Sequence, residues 1–240
     1  MHNVDISSKI VERVLARRGR YHIFDRLDPI ETALVVIDMQ PTFLEPGGPA
    51  EVPMSRSIVD PINQLADELR NLGGTVVWVT HANTHNRKAS DWDLFFNYFV
   101  ADDVRQKTIA SLEPGAAGQK VWHDFRVAED DLHVVKNRYS ALVPGSSQLE
   151  RVLRSRGLRN VLITGTKTNV CCEATGRDAM MMDFRVVMVS DCLAALSDEE
   201  HQASLETFIQ QFGDVMTSEE VVAVLRRRNN PDERASEHSR

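Results

Sequence analysis

Short apolar runs alternate with amphipathic segments along most of this chain. The runs TALVVID, ending at Asp38, and GTVVWVT, ending at Thr80, are rich in β-branched residues, as is typical of strands buried on both faces. LHVVK ends at Lys136, NVLITG at Gly165 and RVVMVSD at Asp191, and DVMT is a further short run. The pattern therefore predicts six strands.

Helical periodicity fills the segments between these runs. In SRSIVDPINQLADELRNLGG, apolar residues recur every three or four positions and two glycines end the pattern. PGSSQLERVLRSRGLRN, VCCEATGRDAMMMDF, SDEEHQASLETFIQQF and TSEEVVAVLRRR are also predicted to be helical. Strands that alternate with helices imply right-handed crossovers and a parallel sheet covered on both faces. We expect a three-layer α/β/α sandwich with a mostly parallel, six-stranded sheet.

Three further segments complete the predicted organisation. Residues 1–28 should form a helix and an extended arm, residues 29–228 the sandwich domain, and residues 229–240 a disordered tail. Within the domain, residues 82–130 are too long for a simple connection and contain the aromatic stretch DLFFNYFV. This segment is either a lid over a binding site or a satellite core or subunit contact.

Length, charge and cysteine content restrict the classes of function. A chain of 240 residues fits one sizeable domain. The formal net charge of -7 argues against nucleic acid or an anionic membrane as the main partner, because both require a basic surface. Three cysteines cannot form a disulfide framework, and no signal-peptide-like run is present. We expect a cytoplasmic protein that acts on a small molecule.

The residues that end the strands are candidates for chemistry, because ligands of open parallel sheets bind at the carboxyl ends of the strands. Asp38 and Lys136 end two strands and carry opposite charges, and Cys171 follows the fourth strand in the predicted first turn of a helix. Free N–H groups and the helix dipole at that position favour a thiolate. Considered singly, Asp38 could be a turn cap and Lys136 a solvated strand end. Cys171 or Cys172 alone could be a small buried side chain. Their convergence at one sheet edge favours a catalytic site.

Three segments resemble a known family: VVIDMQPTF, KNRYSAL and GTKTNVCCEATGRDAMMMDFRVVMVSD. They are similar to the signature segments of the isochorismatase-like cysteine hydrolases, which include ureidoacrylate amidohydrolase, biuret hydrolase, N-carbamoylsarcosine amidase, nicotinamidases and isochorismatase. The resemblance covers residues 32–225 and implies a Rossmann-like sandwich with Asp38, Lys136 and Cys171 as the catalytic triad. In the family pattern T-x-x-C the cysteine is the nucleophile, which implies that Cys172, about 100° away on a helix, serves packing. Cys192 is also expected to be structural.

The activity implied by this resemblance is cysteine-dependent hydrolysis of the C–N bond of a small amide or ureido compound. Asp38 would accept the thiol proton, Lys136 would balance charge, and Cys171 would form a thioester that water then hydrolyses. Backbone N–H groups of Lys167 and Cys171 would form the oxyanion hole. Family members carry a cis peptide bond at this turn, which would fall between Thr166 and Lys167.

Substrate contacts and metal binding are less strongly indicated by the sequence. The segment THANTHNR has His81 and His85 but lacks the Asp-x-His motif of metal-binding relatives, so we expect no catalytic metal and no cofactor. Lys167 could pair with a substrate carboxylate or point into solvent. The residues that could line the substrate pocket are Phe43, His81, Asn83, Arg138, Tyr139 and Lys167.

Two alternative functions remain compatible with the sequence. The phrases KNRYSAL and SDEEH also resemble isochorismatase, a vinyl-ether hydrolase, although that reaction needs no thiol such as Cys171. A non-catalytic family member kept for assembly is disfavoured, because a binding module has no reason to retain a buried ion cluster. Oligomers are common in the family, which implies a homodimer or homotetramer, with the unattached N-terminal arm as a strap between subunits.

Overall fold

A parallel six-stranded sheet forms the centre of this computed structural model, which describes residues 2–86 and 89–227. The predicted disordered tail, residues 229–240, lies outside the described residues. The strands are β1 Thr32–Ile37, β2 Thr75–His81, β3 Leu132–Lys136, β4 Asn160–Thr166, β5 Arg185–Ala194 and β6 Asp214–Met216. In spatial order the sheet is β3-β2-β1-β4-β5-β6, and every neighbouring pair is parallel.

Both faces of the sheet are buried, which explains why its strands are continuous apolar runs rather than alternating ones. Successive side chains of a strand point to opposite faces. Accordingly, Val35 and Ile37 of β1 belong to one core cluster, while Leu34 and Val36 belong to the other.

Helices cover both faces of the sheet, as predicted. The helices are α1 Ser8–Arg18, α2 Pro41–Leu44, α3 Val59–Asn71, α4 Asp93–Tyr98, α5 Asp102–Leu112, α6 Leu149–Ser155, α7 Glu173–Met181, α8 Asp198–Gln211 and α9 Ser218–Arg227. The cluster around Val35 includes buried residues of α1, α6, α7 and α8, whereas the cluster around Leu34 includes buried residues of α3 and α9. The three-layer α/β/α prediction is therefore confirmed.

One strand is longer than predicted. β5 continues beyond Asp191 to Ala194, after a register shift against β4. Asp191 is therefore not a strand end at the candidate site. Its carboxylate accepts hydrogen bonds from the backbone N–H of Ser218, at 2.7 Å, and from the Ser218 hydroxyl, at 2.6 Å. It thus caps the first turn of α9.

The long connection between β2 and β3 contains structure of its own. The two-residue strands His85–Asn86 and Ala89–Ser90 pair antiparallel, and α4 and α5 follow. Of the aromatic stretch on α4, Phe96 is buried, whereas Tyr98 is 80% and Phe99 73% exposed. The stretch therefore provides one core anchor and an exposed aromatic edge.

The N-terminal arm packs against its own chain. Ile10 and Val14 of α1 are buried in the core cluster that includes α8 residues. The backbone N–H of Ser7 donates to Glu206 at 2.9 Å, and that of Ile23 donates to Asp214 at 2.7 Å. The expectation of an unattached arm is therefore wrong, because apolar burial and partly buried hydrogen bonds attach it to the domain. No helix in the described part of the chain is long and apolar enough to cross a membrane.

Candidate active site

Asp38 and Lys136 meet at the carboxyl edge of the sheet. Asp38 follows β1 directly in a left-handed conformation (φ 56°), and its N–H donates to the Val79 carbonyl of β2 at 2.9 Å. Lys136 is the last residue of β3, on the other side of β2. Lys136 Nζ lies 2.9 Å from Asp38 Oδ2, and the two side chains are 0% and 1% exposed. The sheet topology thus forms a fully buried ion pair.

The turn after β4 places Cys171 beside this ion pair. Gly165 has φ 107°, and a Cβ there would overlap the Ile37 carbonyl oxygen, so only glycine lets the end of β4 approach β1 this closely. The peptide bond between Thr166 and Lys167 is cis, at the position that the resemblance implied. Thr168–Cys172 then forms a π-helical turn. Cys171 therefore lies in a π turn before α7, and not in a first α-helical turn as predicted.

Burial favours the neutral form of the Cys171 thiol. Burial, reinforced by the negative charge of Asp38, raises the pKa of Cys171, and Lys136 offsets this only in part. Our expectation that the helix start favours a thiolate is therefore wrong, because desolvation of this buried sulfur outweighs the dipole. Cys171 is 8% exposed, whereas Cys172 and Cys192 are 0% exposed. Cys172 Sγ lies 3.7 Å from the Thr164 carbonyl, consistent with a packing role.

The charges of the ion pair are stabilised mutually. Burial raises the pKa of Asp38, with partial offset from Lys136 and from a hydrogen bond with the Cys171 thiol. Burial alone would lower the pKa of Lys136, but Asp38 and Cys171 together raise it above its usual value. Apart from this lysine and this thiol, no donor among the described residues contacts the Asp38 carboxylate. The carboxylate can therefore accept a proton from the thiol.

His81 holds Lys136 in place. The two residues are register partners at the ends of β2 and β3, and Lys136 Nζ lies 3.0 Å from His81 Nδ1. The lysine also donates to the Arg138 carbonyl at 2.9 Å. Burial, followed by the nearby Lys136, lowers the pKa of His81 well below its usual value, so the ring is neutral and Nδ1 accepts from the ammonium. Its other nitrogen, Nε2, is 2.6 Å from Asn83 Oδ1.

A buried polar network fixes this histidine. Asn83 is 0% exposed, and its amide nitrogen donates to Asp91 Oδ1 at 2.7 Å. Gln40 bonds both backbone groups of His81, accepting from its N–H at 2.6 Å and donating to its carbonyl at 3.0 Å. Sequence reasoning missed Gln40 and Asp91. Gln40, two residues after Asp38, is itself buried, and a polar residue so close to a strand-end carboxylate was the available signal.

Aromatic and cationic groups lie beside the thiol. Tyr139 is 38% exposed, and burial and the neighbouring Cys171 raise its pKa. Trp92, which the sequence did not single out, contacts Tyr139 edge-on at 4.8 Å and His81 face-on at 5.9 Å. The Arg138 guanidinium donates to the Asn137 and Asp91 carbonyls, both at 2.7 Å, and lies 5.2 Å from the Trp92 ring.

The remaining predicted substrate residues differ in their surroundings. Lys167 is partly exposed, and its ammonium makes no ion pair or hydrogen bond with any described residue. Its carbonyl accepts from Val170 and Cys172, whereas its N–H donates to no acceptor in the described ranges. Phe43, in α2, is partly buried against the core cluster that contains Trp78.

The described residues at this edge form no evident metal site. Among the residues that the structure describes, no group of three or more His, Cys, Asp and Glu side chains could hold a metal ion. His81 is engaged by Lys136, and the His85 ring packs edge-on against Phe96 at 5.2 Å.

Comparison with known proteins identifies relatives with similar sequences and a solved structure with a similar fold. A probable inactive nicotinamidase of Arabidopsis thaliana is 31% identical over 176 residues, covering 72% of this chain and 86% of that protein. The ureidoacrylate amidohydrolase RutB of Caulobacter vibrioides is 27% identical over 197 residues, covering 77% of this chain and 83% of that protein. The crystal structure of a cysteine hydrolase from Pseudomonas syringae pv. phaseolicola superimposes with a TM-score of 0.72 at 30% identity, covering 84% of this chain and 95% of that one.

The family itself is shown by a match over most of the domain. Residues 32–220 match the model of the isochorismatase domain. This range begins with β1 and contains the strand ends that carry Asp38 and Lys136 and the turn that carries Cys171. The chain therefore belongs to the isochorismatase family of hydrolases.

Proposed function

We propose that this protein is a cysteine-dependent hydrolase that cleaves the C–N bond of a small amide or ureido compound through a thioester. The observation that carries the proposal is the buried Asp38–Lys136 pair, 2.9 Å apart, with the Cys171 thiol close enough to interact with both side chains. The name of one relative agrees, since RutB is named a ureidoacrylate amidohydrolase.

The first step couples proton transfer to attack. The thiol is neutral at rest, so Asp38 accepts the Sγ proton as the sulfur forms a bond to the substrate carbonyl carbon. The carbonyl π electrons move onto oxygen. Lys136 stays protonated throughout, because its pKa is raised, and its charge stabilises the anion that forms.

Backbone amides supply the oxyanion hole in this mechanism. The Lys167 N–H, free of any described acceptor, and the Cys171 N–H would donate to the developing oxyanion. As the tetrahedral intermediate collapses, the C–N bond breaks and Asp38 returns its proton to the leaving nitrogen. Asp38 then removes a proton from water, whose oxygen attacks the thioester carbon. As the C–S bond breaks, Asp38 returns this proton to Sγ, and Cys171 is released as a thiol.

The predicted substrate residues divide into two groups. His81 and Asn83 are buried and bonded to one another, so they support the reaction through Lys136 rather than by touching substrate. Tyr139, beside the thiol, and the Lys167 ammonium, which pairs with no described residue, are available for substrate, with Phe43 and Arg138 as further candidates. A carboxylate-bearing amide would place its charge on Lys167.

The direct test is ammonia release from small amides, carbamoyl amino acids, ureidoacrylate, biuret and nicotinamide. We expect the wild type and Cys172→Ala to release ammonia and Cys171→Ala to release none, because, of these two thiols, Cys171 is the one that interacts directly with the Asp38 side chain. The Cys172 variant is the matched control, since it removes a neighbouring buried thiol.

Other outcomes identify the competing functions. Pyruvate release from isochorismate that survives Cys171→Ala would establish the vinyl-ether activity instead. No turnover of any substrate would favour a non-catalytic role, the property that the name of the Arabidopsis relative ascribes to that protein. Lys167→Met would test the carboxylate contact, with a raised KM expected for acidic amides alone. The homodimer or homotetramer stays a prediction, which light scattering would test.

A further inference from the structure

The buried face of α8 carries two polar residues beside the turn that holds Cys171. His201 and Ser204 precede the apolar residues Leu205, Phe208 and Ile209 in the buried stripe of this helix. His201 is 1% exposed, and its Nδ1 lies 2.8 Å from Thr168 Oγ1. A polar side chain placed in such a stripe normally has a specific partner. Here the partner is the first residue of the π turn.

Thr168 is held from this helix at two atoms. Its hydroxyl contacts His201, and its carbonyl lies 3.4 Å from Ser204 Oγ. Ser204 Oγ also donates to Glu173 Oε2 at 2.7 Å, at the start of α7. Both ends of the short turn that carries Cys171 are therefore connected to one face of α8. A π turn has poorer intrinsic stability than an α-helical turn, so such external contacts fix its geometry.

The N-terminal arm completes the environment of His201. The His2 side chain is 2% exposed, and its ring stacks on His201 with a centroid distance of 4.3 Å and an interplanar angle of 17°. His2 Nε2 accepts from the Ala195 N–H at 2.9 Å, and Nδ1 lies 2.6 Å from Asp198 Oδ1. These bonds anchor the ring at the start of α8. The arm therefore covers His201 and excludes water from its contact with Thr168.

We propose that His201 is a positioning residue for the nucleophile, fixing the Cys171 turn through Thr168, and that the N-terminal arm seats it through His2. Burial, followed by the neighbouring His2, lowers the pKa of His201 to about 3, so the ring offers Thr168 one neutral hydrogen-bonding form across the neutral range. The turnover readout rests on the proposed amidohydrolase function. A second readout, the reactivity of the Cys171 thiol, is independent of the substrate.

The test compares His201→Phe, which keeps a stacked ring but loses the bond to Thr168, with His201→Asn, whose amide can occupy the position of Nδ1. Arg13→Ala is the matched control, because it removes an exposed contact between the arm and Gln210 without affecting His201. Each variant is assayed for kcat and KM. The rate of Cys171 carbamidomethylation by iodoacetamide is followed by peptide mass spectrometry.

A displaced nucleophile should lower kcat without weakening substrate binding. We expect His201→Phe to lower kcat about tenfold with KM within about twofold of wild type. The alkylation rate of Cys171 should fall at least about threefold, because the displaced thiol can no longer transfer its proton to Asp38. His201→Asn should recover most of both losses, and Arg13→Ala should match the wild type. His2→Ala should give a smaller loss of kcat, about threefold.

Several results would overturn the proposal. Wild-type kcat and alkylation rate in His201→Phe would exclude a positioning role, and an Asn variant no better than the Phe variant would exclude the bond to Thr168 as its basis. If circular dichroism shows His201→Phe unfolded, Thr168→Val removes the same bond from the other partner and carries the same expectations. If the wild type cleaves no amide, the proposed function fails while the alkylation rates still decide the role of His201.

Discussion

Replacing Lys136 by methionine tests the ion pair on which the proposed chemistry depends. Methionine retains an unbranched side chain of similar length but removes the cation 2.9 Å from Asp38. It also leaves the Arg138 carbonyl and His81 Nδ1 without the donor that they share. The perturbation therefore isolates one buried carboxylate in a site where both side chains are essentially inaccessible to water.

The expected loss of stability is large. Removing one partner of a buried ion pair typically costs about 3–5 kcal/mol, because the remaining charge is neither solvated nor compensated. Asp38 is 1% exposed and has no other cationic partner among the described residues, so we expect a loss of about 4 kcal/mol near pH 8. That is a substantial fraction of the roughly 5–15 kcal/mol that stabilises a typical domain.

The loss should depend on pH in a defined direction. A carboxyl group whose folded pKa lies above its unfolded value of about 3.9 destabilises the fold increasingly as pH rises between those values. Burial already raises the pKa of Asp38, and without Lys136 its pKa rises further. The deficit should therefore be smaller near pH 5 than near pH 8 by at least about 1 kcal/mol, since one pKa unit corresponds to 1.36 kcal/mol.

Urea unfolding followed by tryptophan fluorescence measures these quantities. Two further variants serve as controls: Lys136→Arg keeps a cation, and the double variant Asp38→Asn/Lys136→Met removes both charges. We expect the double variant to be more stable than Lys136→Met near pH 8 by about 1–2 kcal/mol and to lose its additional pH dependence. A single variant that loses less than about 1 kcal/mol, or a double variant no more stable than the single one, would refute the buried-pair reasoning.

Three further predictions concern other parts of the fold. Gly165→Ala should lower the free energy of unfolding, measured in urea, by at least about 2 kcal/mol and should abolish turnover. The alanine Cβ would overlap the Ile37 carbonyl, and the backbone φ at this position is one that L-residues rarely adopt. A variant as stable as the wild type would contradict this prediction. His22→Gln should lower Tm near pH 6 but have less effect near pH 9. The hydrogen bond to Asp214 raises the pKa of His22, so the stabilisation that His22 gives the fold is complete below its usual pKa of about 6.5 and is lost as the pH rises through its folded-state pKa. A difference in Tm that does not depend on pH would refute this explanation. Phe208→Ala should cost about 3–5 kcal/mol in urea unfolding, since the ring is fully buried; a loss below about 1 kcal/mol would show that the site is not packed as described.

The sequence predicted the features that depend on topology. Apolar runs and helical periodicity specified the layers, and the strand-end rule brought Asp38, Lys136 and Cys171 together, because parallel strands end at the same sheet edge. Where periodicity was interrupted by polar residues, the prediction was less accurate. The apolar pattern predicts that β5 ends at Asp191. In the structure the strand continues to Ala194, and the Asp191 carboxylate caps α9.

Features that depend on desolvation could not be read from the sequence. The rule that helix starts favour thiolates concerns exposed dipoles, and whether Cys171 is exposed is decided only when β4 packs against β1 through Gly165. Once the sulfur is buried beside Asp38, its pKa rises instead. The neutral thiol agrees with the role that the family resemblance implies for Asp38, as acceptor of the thiol proton. If Cys171 were already a thiolate before substrate binds, Asp38 would have no proton to accept at the start of the reaction. With a neutral thiol, Asp38 is the base that generates the nucleophile when the substrate binds.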